Sequence, residues 1–77
     1  MKEYIAVLFT HSDAIKLSRE CKKREINHKL MPVPRKLSSN CGVCVNFHCE
    51  EDIKDLIFSG VEKIFSVEDG SYILVHE

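Results

Sequence analysis

Apolar positions fall in short blocks along the chain, and their spacing changes from one block to the next. Tyr4-Ile5-Ala6-Val7-Leu8-Phe9 is an unbroken apolar run between Glu3 and Thr10, the pattern of a strand buried on both faces. Thr10-His11-Ser12-Asp13 then reads as a capping box with Asp in the Glu position. Ala14, Leu17 and Cys21 follow at helical spacing, while Lys16, Arg19, Glu20, Lys22 and Lys23 take the other face. Ile26-Asn27-His28 turns the chain, and Lys29 to Val33 predicts a second, outer strand closed by Pro32 and Pro34.

Beyond this loop the period is two. Val43, Val45 and Phe47 share one face of a third strand, and Cys44, Asn46 and His48 share the other. Glu50, Glu51 and Asp52 suit the first turn of a second helix, in which Ile53, Leu56, Ile57 and Gly60 keep the i, i+3, i+4, i+7 spacing and Gly60 ends the helix. Val61 to Val67 predicts a fourth strand, Asp69-Gly70 a turn, and Tyr72 to Val75 a short strand pairing back. The order β-α-β-β-α-β, plus a C-terminal strand, is that of a ferredoxin-like α+β sandwich: an antiparallel sheet with two helices on one face. Strands one and three form its central pair. Cys21 belongs to the core, and Cys44, Asn46 and His48 lie on the face left open by the helices.

The 77 residues fit one domain, residues 1–77, without repeats or linkers. Eleven basic and twelve acidic residues give a net charge of -1, which argues against nucleic acid or an anionic membrane as main partner. There is no apolar run of membrane-spanning length and no signal-peptide pattern, so the expected location is the cytoplasm. In that reducing compartment the four cysteines are expected to pack, bind metal or react rather than form structural disulfides. His11, His28 and His76 are expected to be solvated.

The chemistry concentrates between Pro32 and Cys49, which hold three of the four cysteines and both prolines. Ser38, Ser39 and Asn40 are turn formers whose side chains bond their own backbone, and Gly42 permits positive φ beside Cys41. Cys41-Gly42-Val43-Cys44 is a CxxC motif whose two sulfurs suit one disulfide, one metal or one transferable atom. A strand follows it, so the helix N-terminus that activates many CxxC thiols is missing. Arg35, Lys36 and the turn N–H groups from Ser39 to Gly42 are the candidate anion holders in its place. A metal set of Cys41, Cys44, His48 and Cys49 is disfavoured. Cys44 and His48 are four strand residues apart, about 13 Å at ~3.3 Å each. Cys49 reads as a helix-start residue.

The stretch Pro32-Val33-Pro34-Arg35-Lys36-Leu37-Ser38-Ser39-Asn40-Cys41-Gly42 resembles the motif of a family of small bacterial proteins described as selenium/sulfur carrier-like. The resemblance extends over nearly the whole chain, from Tyr4 to Val67. It implies a carrier rather than an enzyme. Cys41 would hold sulfur or selenium as a transient persulfide or selenosulfide, without a resident cofactor, between donor and acceptor proteins. Cys44 stands where the family pattern has an apolar residue, and is a candidate resolving thiol. Two alternatives stay open: a non-catalytic ferredoxin-like module dimerising through the open sheet face, and a metal-binding accessory protein using the CxxC.

Overall fold

The structure, a computed structural model, describes residues 2–37 and 42–77. It is α+β: one antiparallel sheet of five strands in the order β2-β3-β1-β4-β5, carrying one α-helix. The strands are β1 (Lys2–Leu8), β2 (His28–Pro32), β3 (Val43–Cys49), β4 (Val61–Glu68) and β5 (Ser71–His76), and α1 is His11–Lys23. β1 lies in the middle, paired with β3 and β4, and every residue from Tyr4 to Leu8 is buried. That is why its sequence is apolar without alternation.

The two faces have separate cores. Tyr4, Ala6 and Leu8 of β1 join Val45 and Phe47 of β3 and Ala14, Leu17 and Cys21 of α1 on one side. Tyr4 and Phe47, cross-strand partners, stack with centroids 5.3 Å apart. On the other side Ile5 and Val7 pack with Cys44 of β3 and with Leu37.

α1 starts as its cap predicts. The Thr10 hydroxyl oxygen accepts from the Asp13 N–H at 3.1 Å and donates to the Asp13 carboxylate at 2.8 Å. It ends in a Schellman arrangement: the Ile26 N–H donates to Cys21 O at 2.8 Å, the Glu25 N–H to Lys22 O at 3.1 Å, and Glu25 takes φ 58°.

Where a second helix is expected, Ile53–Leu56 forms a single 3₁₀ turn. Asp52 caps it, its Oδ1 accepting from the Lys54 N–H at 2.9 Å, and Ile57 is already extended. The i, i+3 spacing that suggested a helix is met equally by a 3₁₀ turn. Fewer than two turns remain before Gly60, too few for propagation to offset the cost of forming the first turn. Gly60 is therefore not a helix terminator. A Cβ there would collide with the Asp13 carboxylate and the Phe58 ring, while its carbonyl accepts from the Phe9 N–H at 3.0 Å.

Candidate functional site

The loop between β2 and β3 is fastened at its base. Pro32 pairs with Val43 and Met31 with Cys44, and the Val33 N–H donates to Gly42 O at 3.2 Å. β2 is an edge strand, so the missing N–H of Pro32 costs the ladder little. Pro34 opens a β-turn closed by the Leu37 N–H on Pro34 O at 2.9 Å, with exposed Arg35 and Lys36 at its corners. Leu37 then drops its side chain among Ile5, Val7 and Cys44. A leucine set between Arg35-Lys36 and Ser38-Ser39-Asn40 was the signal for this anchor. Gly42 has φ +75° with open space around it, so backbone conformation, not crowding, calls for glycine there. The candidate residues Ser38, Ser39, Asn40 and Cys41 lie outside the described residues.

Cys44 faces away from α1, as the alternation requires, yet it is not available on an open surface. It is fully buried beneath Leu37 and Met31, and its thiol donates to Pro32 O at 3.7 Å. Asn46 is also buried. Its amide donates to the Glu3 carboxylate at 2.8 Å and to Tyr4 O at 3.4 Å.

His48, half-buried beside Glu3, stands at the far end of β3 from the loop. Cys49 is the last residue of β3, not a helix start. It points into the helix-side core, where its thiol donates to Glu51 O at 3.5 Å. Cys44 and Cys49 thus occupy opposite faces of one sheet, in keeping with the sequence argument against a metal set of Cys41, Cys44, His48 and Cys49. Among the described residues no three His, Cys, Asp or Glu side chains are grouped to hold a metal.

Cys21 lies in the helix-side core with no exposed surface, and burial, helped by Cys49, pushes its thiol up to about 11. His28 is not solvated. Its half-buried ring donates from Nδ1 to Ile26 O at 2.8 Å, and its Nε2 is hydrogen-bonded to the Ser18 hydroxyl at 3.0 Å.

Val7 pairs with Cys44, so Gly42 leaves the sheet at the end where β1 runs through Phe9 into α1. The N-terminus of α1, with its partial positive charge, therefore opens at the loop's end of the molecule, although 30 residues separate the two segments in sequence. Among the described residues no helix is long and apolar enough to cross a membrane.

A single α+β sheet with three buried thiols, and a clamped prolyl loop bearing the fourth cysteine in its sequence, defines a small cysteine-loop protein. A family model described as "Putative Se/S carrier protein-like" matches residues 3–60, and the chain belongs to that family. No curated protein and no solved structure matches the chain.

Proposed function

We propose that the protein is a chalcogen carrier that holds sulfur or selenium on Cys41. The family match carries this reading, since residues 3–60 include the whole Pro32-to-Gly42 stretch. The burial of Cys21, Cys44 and Cys49 supports it, because thiol exchange needs an accessible thiolate. Loading is a thiol exchange: the Cys41 thiolate attacks the outer sulfur of a donor persulfide, the donor's S–S bond breaks, and the donor leaves as a thiolate. The product is a persulfide on Cys41, with no net oxidation. Arg35, Lys36 and the backbone amides of Ser38, Ser39, Asn40 and Gly42 favour the anionic forms. An acceptor thiolate takes the outer sulfur by the same step in reverse. Discharge onto Cys44, giving a Cys41–Cys44 disulfide and hydrogen sulfide, requires Leu37 to withdraw first. Cys44 is thus a guarded resolving thiol.

In this reading the protein is a carrier and not an enzyme, acting in a reducing cytoplasm between a donor and an acceptor protein. The fold is a ferredoxin-like one whose second helix has shrunk to a 3₁₀ turn, a reading supported by the sheet order and the antiparallel pairing.

Incubation with glutathione persulfide, followed by intact-mass and peptide mass spectrometry, tests the carrier role. The expected result is a gain of one sulfur atom on the Cys41 peptide, lost in Cys41→Ser and retained in Cys44→Ala. No adduct on the native protein, or an adduct that survives Cys41→Ser, overturns it.

A further inference from the structure

The two edges of the sheet differ. β2 carries Lys29 and ends in Pro32, features that discourage pairing with another strand. β5, at the other edge, reads Ser71-Tyr72-Ile73-Leu74-Val75-His76, with neither proline nor formal charge. Ile73 is 47% exposed, Leu74 44% and Val75 47%. α1 packs on β1, β2 and β3 and leaves this side of the molecule bare.

The backbone of β5 fixes what can add to it. Asp69 and Gly70 both have positive φ, 51° and 78°, which marks a type I′ hairpin turn. Such a turn makes Glu68 and Ser71 a hydrogen-bonded pair, and by alternation Ser66 and Ile73 as well. Ile73 therefore turns its N–H and C=O toward β4, while Tyr72 and Leu74 turn theirs outward. The ladder shifts between Ile64 and Phe65, which confines a regular outer edge to Ser71–Leu74.

We propose that β5 pairs antiparallel with β5 of a second copy of this chain, about a two-fold axis through Ile73. Tyr72 and Leu74 of one copy then bond Leu74 and Tyr72 of the other. The side chains match as well as the backbone. Ile73 meets Ile73 on the helix-side face, and Tyr72 meets Leu74 twice on the opposite face, all apolar pairs with no opposed charges. An interface this short buries less than about 1,200 Å², the size of a weak, reversible contact. The expected dissociation constant is accordingly between about 1 µM and about 1 mM. The loops of the two copies end up far apart. β3 lies three strands in from β5, so the two β3 strands are seven spacings apart, about 34 Å at ~4.8 Å each.

Sedimentation of the full chain from about 5 µM to about 500 µM, a range spanning that weak class, tests the pairing. The native mass is expected to rise from 8.9 kDa toward twice that value. Ile73→Lys and Ile73→Glu, each at an exposed site, are expected to stay monomeric alone and to dimerise when mixed. Leu30→Lys, on the exposed helix-side surface of β2, is expected to dimerise like the native chain. Circular dichroism confirms folding, and Leu74→Lys serves as a second edge variant expected to stay monomeric. A native chain that stays monomeric throughout the range overturns the proposal, as does dimerisation by Ile73→Lys alone. A mixture that fails to dimerise overturns the two-fold register at Ile73.

Discussion

Cys21 shows how much one buried side chain sets. It sits on the apolar stripe of α1 with no exposed surface, and burial raises its thiol to about 11 from an ordinary value of 9.0. The unfolded chain therefore loses this proton at lower pH than the folded one. The resulting stability is fully present below about pH 9 and is lost as pH rises toward 11. Two units correspond to about 2.7 kcal/mol, so a loss of order 2 kcal/mol is expected. Urea denaturation at pH 8 to 11 checks this: the native protein should lose more stability over the interval than Cys21→Ala, and parallel curves would refute it. The same burial keeps Cys21 out of the thiol chemistry.

At the scale of elements, the end of α1 departs from the best local choice. Glu25 takes φ 58° at the position where a helix most often places glycine, between the two hydrogen bonds that close the Schellman turn, its own N–H to Lys22 O and the Ile26 N–H to Cys21 O. A left-handed conformation costs a residue with a Cβ about 1 to 2 kcal/mol. Glycine recovers most of that and gives back part through its freer unfolded chain. Glu25→Gly is expected to raise stability by about 0.5 to 1 kcal/mol, read as a higher thermal midpoint. A lower midpoint would show that the Glu25 side chain contributes more than its backbone conformation costs. The Arg24–Glu20 pair at 2.6 Å and the longer Arg24–Asp55 contact at 3.7 Å lie beside this turn, exposed enough to add little.

For the molecule as a whole, the decisive contact is Leu37 against Ile5, Val7 and Cys44. It ties the loop to the middle of the sheet and seals Cys44 from solvent. Leu37→Ala removes the seal and leaves a partly refilled gap, for an expected loss of about 2 kcal/mol, at the low end for buried leucine because the site lies at the surface. Alkylation by iodoacetamide with peptide mapping provides the second readout. In the native protein Cys41 should be labelled first and Cys44 hardly at all, whereas in Leu37→Ala the Cys44 peptide should gain label at least several-fold. Unchanged Cys44 labelling would mean that Met31 and Val33, not Leu37, provide the cover.

Much of this architecture was written in short-range patterns. The unbroken run from Tyr4 to Leu8, the period of two from Val43 to Phe47, the Thr10 cap and the positive φ at Gly42 follow from sterics and periodicity within a few residues. Cys21 in the core and Pro32 at a strand edge follow in the same way. Family membership was legible for a similar reason, since Pro32 to Gly42 is one continuous stretch. Other outcomes were settled only by what lies across from each residue. Ile53, Leu56 and Ile57 have spacing that suits a helix or a 3₁₀ turn, and the short run to Gly60, held against Asp13 and Phe58, selects the turn. Alternation gave Cys44 its face, but its burial depends on Leu37, seven residues earlier and on a loop. His28 acquires its partner from Ser18 on α1, ten residues earlier. Periodicity assigns a side chain to a face. Only the packing of distant segments decides whether that face meets water, a hydrogen-bond partner or another side chain.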